Sequence, residues 1–112
     1  MDISTETAGD VTVVHVEGNL DTNTAPEAQQ RLDALLEEGR SKLLVDFEAL
    51  EYISSAGLRV LLSTIKRLNA AGGSMHISGL NETVDEIFEI SGFSTIFNVF
   101  PTRAEALEKF GG

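Results

Sequence analysis

The amino-acid sequence predicts a single α/β domain: a mixed sheet of about five strands, the first antiparallel, with about four helices packed against it. Three observations lead to this prediction. Short apolar runs alternate along the chain with segments whose apolar residues recur at helical spacing. The pair Gly9–Asp10 separates the first two extended segments and is typical of a hairpin. With 112 residues, 42% of them hydrophobic, the chain suffices for one hydrophobic core, so residues 1–112 are expected to form one domain.

Each element follows from a local pattern. In chain order the predicted elements are a short first strand, a turn over 8–10, a strand over 11–16, a helix over 24–39, a strand over 42–47, a helix over 55–70, a strand over 74–78, a helix over 81–92, a strand over 94–100 and a helix over 102–110. Alternating helices and strands are joined by right-handed crossovers, so the later strands should be parallel.

The helix starts are read from capping residues. Thr24 with Glu27, and Thr102 with Glu105, have the spacing of a capping box, in which each side chain bonds to the backbone N–H of the other. Asn81 is a good N-cap for the third helix. The glycines that follow the first three helices stop them, because glycine adopts the left-handed conformation that commonly ends a helix; they are Gly39, Gly72–Gly73 and Gly92.

Two helices have an apolar face at helical spacing. In the first helix the apolar positions are Ala28, Leu32, Leu35 and Leu36. In the second they are Leu58, Val60, Leu61, Leu62, Ile65 and Leu68, and the polar positions are Arg59, Ser63, Lys66 and Arg67. Both helices are therefore expected to lie on the sheet with one face in solvent.

The net charge and the composition exclude several classes of function. Eighteen acidic residues against eight basic ones give a formal charge of −10, which repels nucleic acid and anionic lipid. No apolar run approaches the roughly 20 residues that span a bilayer, and the N-terminus lacks the basic and apolar regions of a signal peptide. Without cysteine there is no disulfide or thiolate site. The expected location is the cytoplasm, with no direct nucleic-acid partner and no membrane insertion.

The sequence favours a protein that is not an enzyme and that has no metal or cofactor. The nucleophile pattern G-x-S-x-G is absent, and no glycine-rich loop opens a helix. His15 and His76 each lie within a predicted strand, and neither has an acid at motif spacing to orient it as a base. A metal site on this pair would need a helper such as Glu17 or Asp46, at no recognisable spacing.

The segment EYISSAGLRVLL, residues 51–62, places two adjacent serines where an extended run gives way to a helix. One interpretation is a plain helix cap, for which serine is well suited. The other is a hydroxyl group that is displayed to receive a chemical group. A helix N-terminus tolerates a phosphoryl group, because its unpaired N–H groups and the positive end of the helix dipole stabilise negative charge. The residues alone leave both interpretations open.

Three stretches resemble the STAS domain family, and within it the stand-alone anti-sigma factor antagonists. They are EGNLDTNTAPE at 17–27, LLVDFEALEYISSAGLRVLL at 43–62 and ISGFSTIFNVF at 90–100. The resemblance extends over nearly the whole chain. Its most specific part is the block of a hydrophobic residue, two serines, a small residue, glycine and leucine that opens the second helix.

The resemblance implies a phosphorylation switch. In this family a serine at that helix start is phosphorylated by a partner that is both an anti-sigma factor and a serine kinase. The unphosphorylated form binds that partner and so releases a sigma factor, and a metal-dependent phosphatase resets the switch. Alignment on Gly57 assigns the phosphorylated serine to Ser55, and less favourably to Ser54, which stands where the family usually has aspartate. Ala56 replaces a second hydroxyl residue.

The resemblance also implies a partner-binding surface, which comprises Asp21, Ser54, Ser55, Ala56, Gly57 and Arg59. Each assignment has an alternative. Arg59, one turn after Ser55, could be a solvated helix arginine, and Asp21 could be only a turn-former. Ala56 and Gly57 could be small because the helix packs tightly on the sheet. The alternative for the whole protein is a constitutive STAS subunit of a transport or stress-sensing assembly, without a serine switch.

Overall fold

Six strands form one mixed sheet in the computed structural model, which describes residues 1–110. The strands are β1 (Asp2–Ala8), β2 (Val11–Leu20), β3 (Lys42–Asp46), β4 (Leu50–Ile53), β5 (Ser74–Ser78) and β6 (Asn98–Phe100). The helices are α1 (Ala25–Glu37), α2 (Ser55–Ala70), α3 (Glu82–Ser91) and α4 (Arg103–Glu108), with a 3₁₀ turn at Phe93–Thr95. In this part of the chain no helix has both the length and the apolar character needed to cross a membrane.

The order of the strands across the sheet is β1-β2-β3-β5-β6, and β4 pairs with the carboxyl end of β2. Strand β1 is antiparallel to β2, and all other pairings are parallel. The predicted fold class, with its antiparallel first strand, is therefore confirmed. The α2 boundaries at Ser55 and Ala70 are also those that the sequence predicts.

The two faces of the sheet are covered unequally. Successive strand residues point to opposite faces, so each face has its own apolar cluster. The larger cluster packs α1, α2 and α3 on the sheet and includes Leu32, Leu61 and Phe88. The smaller cluster lies on the other face beneath α4 alone and comprises Val11, Val13, Leu44 and Ala106.

The strand predicted over 94–100 is wrong in its first half. Gly92 has a φ of 82°, which turns the chain away from α3 into the 3₁₀ turn. Phe93 and Phe97 then pack with Phe88, at ring-centroid distances of 6.1 and 6.0 Å. Burial of these aromatic rings outweighs the strand preference of the local sequence, and β6 is left with three residues.

One strand boundary, one additional strand and one helix cap also differ from the sequence prediction. Strand β2 continues to Leu20, beyond the predicted end at Val16, and β4 is an additional short strand beside its last residues. The Thr24 capping box is wrong, because the Thr24 hydroxyl donates to the backbone oxygen of Asn19 at 2.9 Å and does not cap α1. By contrast, the Asn81 cap on α3 and the Thr102 cap on α4 are confirmed.

Candidate functional site

The loop after β2 and the start of α2 meet at one end of the sheet. Leu20 and Ile53 are register partners at the ends of β2 and β4. One residue further on, the Ser54 N–H donates to the Leu20 carbonyl oxygen at 2.9 Å. Because Asp21 follows Leu20 and Ser55 follows Ser54, the two segments that the sequence assigns to partner binding become neighbours in space.

Gly57 makes the close approach of α2 to these strands possible. A Cβ atom at this position would lie 2.8 Å from Leu20 Cγ, from the Leu20 carbonyl oxygen and from Ile53 Cγ1. Gly57 is buried, and Ala56 is half-buried against the larger core cluster. Tight packing therefore accounts for the glycine at position 57, and contact of Ala56 and Gly57 with a partner stays a prediction.

The two serines lie in different surroundings. Ser54 is the N-cap of α2, in extended backbone with φ −97° and ψ 175°. Its hydroxyl is buried, makes no capping hydrogen bond and has no hydrogen-bond partner among residues 1–110. Ser55, the first helical residue, is exposed. The side chain of Ser54 is thus not a helix cap, and Ser55 is the serine that solvent and a second protein can reach.

The first turn of α2 presents free backbone N–H groups next to Ser55. The first intrahelical hydrogen bond runs from the Leu58 N–H to the Ser54 carbonyl oxygen at 3.0 Å. The N–H groups of the three preceding residues have no acceptor within the helix. The first turn contains no acidic residue, so the positive end of the helix dipole is not neutralised there. This environment stabilises an anionic group on the Ser55 hydroxyl.

Asp21 shapes the loop that borders the serines. Its Oδ1 accepts hydrogen bonds from the N–H groups of Asn23 at 2.9 Å and Thr24 at 3.2 Å. In return, the Asp21 N–H donates to Thr24 Oγ1 at 2.8 Å. The turn-forming role that the sequence offers for Asp21 is therefore confirmed, and a partner contact stays a prediction.

Arg59 lies one helical turn after Ser55 and is exposed. Within residues 1–110 its guanidinium group makes no salt bridge, whereas Arg67 pairs with Asp33 and Arg103 with Glu6. The guanidinium group of Arg59, near Ser55, is thus not paired with a carboxylate within residues 1–110.

A polar cluster on the α4 side of the sheet was missed by the sequence analysis. His15 Nδ1 lies 3.0 Å from Asp46 Oδ2, and His15 Nε2 lies 3.0 Å from Glu6 Oε1. The sequence shows no acid at motif spacing from His15, and the fold brings two acids to the ring from positions 9 and 31 residues away in the chain. The hydrogen bond from His15, and the charge of Arg103, hold the pKa of the Glu6 carboxyl below its usual range. The hairpin register places Glu6 diagonally across from His15, and this register could have indicated the contact between the two side chains.

This cluster borders a surface cavity of about 560 Å³. The arrangement is not that of a catalytic base, because both ring nitrogens of His15 already contact carboxylates. The two histidines do not share a site, since β3 lies between the strands that carry them. Within the described residues, no group of three or more histidine, aspartate or glutamate side chains is arranged to hold a metal ion.

Comparisons with known proteins bear on the same residues. The model of the STAS domain family matches residues 2–106. BtrV of Bordetella bronchiseptica, which is named as an anti-sigma factor antagonist, is 37% identical over 95 residues, or 85% of this chain and 82% of BtrV. The anti-sigma-B factor antagonist of Staphylococcus aureus is 30% identical over 99 residues, or 88% of this chain and 92% of that protein.

Solved structures share the fold. An anti-sigma factor antagonist from Mycobacterium paratuberculosis has a TM-score of 0.89 at 27% identity, over 96% of this chain and 92% of that one. The antagonist SpoIIAA has a TM-score of 0.77 at 18% identity in its unphosphorylated form, over 99% of both chains. Its phosphorylated form has a TM-score of 0.75 at 20% identity, over 97% of this chain and 99% of that one. At these identities the SpoIIAA likeness shows the fold alone.

Proposed function

This chain belongs to the STAS domain family, and from that premise we propose that it acts as an anti-sigma factor antagonist. The unphosphorylated protein binds an anti-sigma factor that is also a serine kinase, and this binding frees a sigma factor. Phosphorylation of Ser55 ends the binding, and a metal-dependent serine phosphatase restores it. The observation that carries the proposal is the exposed Ser55 hydroxyl at the uncapped start of α2, beside the Asp21 loop.

The choice of Ser55 rests on access. A kinase must bring the γ-phosphate of ATP to the acceptor oxygen, so the hydroxyl has to be exposed. The Ser54 hydroxyl is buried against the protein, whereas Ser55 is exposed. Asp21, Ser54, Ala56, Gly57 and Arg59 surround or support this position. Because Gly57 and the Ser54 hydroxyl are buried, we assign the partner contact to the exposed surface around Ser55.

The phosphoryl group would act on the interface and not on the fold. A charge of about −1.5 to −2 on Ser55 is stabilised by the free N–H groups of α2 and by Arg59 one turn away. In the complex, the same charge lies in a surface that accepts a neutral hydroxyl. An unpaired charge buried in an interface costs on the order of 2–5 kcal/mol. At about 1.4 kcal/mol per tenfold, affinity falls by roughly thirty-fold to several thousand-fold.

The first prediction tests the acceptor and the switch together. With the cognate kinase and ATP, phosphate is expected on Ser55, and Ser55→Ala abolishes it while Ser54→Ala does not. Ser55→Asp is expected to lose most of its affinity for the partner, with a melting temperature near that of the wild type. Mass spectrometry maps the site, titration calorimetry gives the affinities, and thermal melts of each variant alone report the fold.

Three results would contradict this proposal. Phosphate on Ser54, Ser63 or a threonine would show that the acceptor assignment is wrong. Loss of binding by Ser55→Asp through unfolding would identify a structural residue and not a switch. Equal affinity of the wild type and Ser55→Asp would favour a constitutive STAS subunit of a larger assembly.

A further inference from the structure

The two edges of the sheet differ in how well they are protected against further strand pairing. Strand β6, at one edge, has three residues, follows the 3₁₀ turn and is succeeded directly by Pro101. Short length and an adjacent proline are two of the ways in which proteins block an edge. Strand β1, at the other edge, has seven residues and contains no proline. Among residues 1–110, β1 pairs only with β2, so no strand covers the edge of β1 that faces away from β2.

Strand β1 is also regular enough to act as a template. Its seven residues pair with seven consecutive residues of β2 without a shift in register. In an antiparallel ladder the strand directs alternate backbone groups toward its partner, so the remaining N–H and C=O groups of β1 point outward. Five of its residues are exposed, which leaves this edge accessible to a second chain.

We propose that β1 pairs antiparallel with β1 of a second copy of this chain, about a two-fold axis at Thr5. Such an axis, perpendicular to the sheet, keeps the two faces of the sheet on the same sides, so only residues of the same face can oppose one another. With the axis at Thr5, Ser4 lies opposite Glu6 of the other copy. Asp2 then lies opposite Ala8, and Ile3 opposite Thr7, which makes this pairing the longest available.

Charge selects this register over its neighbours. An axis at Ser4 would place Asp2 opposite Glu6 twice, and an axis at Glu6 would place that residue opposite itself. Like charges directly opposite one another destabilise a strand pair, whereas Thr–Thr and Ser–Glu pairs can form hydrogen bonds. In the Thr5 register no two acids are opposed. In addition, the Glu6 charge is compensated within its own chain by Arg103.

The net charge of the protein determines how tightly we expect the two copies to associate. Two copies with a formal charge of −10 each repel one another at low ionic strength. Raising the salt concentration from about 0.1 M to about 1 M shortens the Debye length from about 10 Å to about 3 Å. We therefore expect a weak dimer that is strengthened by salt. The proposal is independent of the proposed function, since Ser55 belongs to α2.

The second prediction, for the full chain, uses a charge exchange at the two-fold axis. Sedimentation velocity from about 10 µM to about 1 mM, where weak interfaces associate, is expected to show a dimer that grows with salt. Thr5→Lys alone and Thr5→Glu alone each place like charges opposite one another. Each is expected to raise the dissociation constant about fivefold or more. An equimolar mixture of the two variants is expected to dimerise again, because opposite charges then meet.

Thr83→Lys is the matched control, because Thr83 is exposed on α3 and the change in net charge is identical. It should dimerise at least as well as the wild type. A wild type that stays monomeric over the whole range would overturn the proposal. So would a Thr5→Lys variant that dimerises as well as Thr83→Lys, or a mixture that does not associate. Circular dichroism of each variant confirms that the fold is retained.

Discussion

Ser54 and Ser55 are identical in chemistry and adjacent in sequence, yet their side chains lie in different surroundings. Both backbone groups of Ser54 are hydrogen-bonded: its N–H donates to the Leu20 carbonyl oxygen, and its carbonyl oxygen accepts from the Leu58 N–H. Its hydroxyl is buried without a partner, while the next residue is exposed. A buried hydroxyl without a hydrogen bond costs free energy. The side chain of Ser54 therefore does not explain why a serine stands at this N-cap.

The third prediction follows from this. Ser54→Ala is expected to leave the free energy of unfolding unchanged or to raise it by up to about 1 kcal/mol, since an unsatisfied hydroxyl is removed. If the Ser54 side chain capped the helix, the same substitution would lower the free energy of unfolding by about 1 kcal/mol. Urea unfolding measures the difference. Asn81→Ala is the control. Asn81 Oδ1 accepts from the Val84 N–H at 2.8 Å, and its amide also donates to the Leu50 and Glu51 carbonyl oxygens, so its removal should cost at least about 1 kcal/mol. A loss at Ser54 as large as that at Asn81 would contradict the prediction.

At the scale of the element, α4 is the short helix that closes the second face of the sheet. Its six residues begin with the Thr102 cap and bury Ala106. Beneath it, His76 lies between Phe100 and Phe110, at ring-centroid distances of 5.3 and 4.2 Å. Burial lowers the pKa of His76, which means that the folded protein favours the neutral imidazole. Protonation of His76 is therefore expected to weaken the packing of this face.

The fourth prediction concerns pH. As the pH falls below the usual histidine pKa of about 6.5, the unfolded chain takes up a proton at His76 before the folded protein does. The contribution of neutral His76 to the free energy of unfolding is therefore complete above the unfolded pKa. It is lost as the pH falls from that value through the lower pKa of His76 in the folded protein. Between about pH 7.5 and about pH 5.5 the wild type should lose more free energy of unfolding than His76→Gln does, in urea titrations. Equal losses in the two proteins would show that His76 is not the cause.

At the scale of the whole molecule, the polar cluster of His15 and the exposed Ser55 belong to different parts of the protein. The His15 cluster and its cavity lie on the α4 side of the sheet; Ser4 also lines this cavity, but among residues 1–110 its hydroxyl makes no hydrogen bond to the His15 ring. The displayed serine lies at the start of α2, where within residues 1–110 no histidine hydrogen-bonds to it. Ser55 and His15 therefore do not form the hydrogen-bonded pair that a serine nucleophile and its base require.

The fifth prediction is that the isolated protein has no hydrolase activity. Both nitrogens of His15 contact carboxylates, so the ring is not free to take a proton from a nucleophile. Ester and nucleotide substrates should show no turnover above buffer, and His15→Ala should bind the partner as the wild type does. Turnover that disappears in His15→Ala, with the circular dichroism spectrum unchanged, would refute this. His76→Ala provides the parallel control.

Much of the fold could be predicted because its signals are local. The hairpin, the boundaries of α2, the Asn81 cap and the alternation of helices and strands each depend on residues within a few positions of one another. The resemblance of the ISSAG block to the STAS family likewise needs only adjacent residues. Sequence alone therefore predicted the fold class, the family and the position of the two serines at the start of α2.

The tertiary structure decided what each residue at the site can do. It buried the Ser54 hydroxyl and left Ser55 exposed, gave Gly57 a packing role against Leu20, and joined His15 to Asp46 across 31 positions of the chain. It also replaced half of a predicted strand by a turn that buries Phe97. Exposure and contact between distant residues depend on how the strands come together, and no local propensity contains that information.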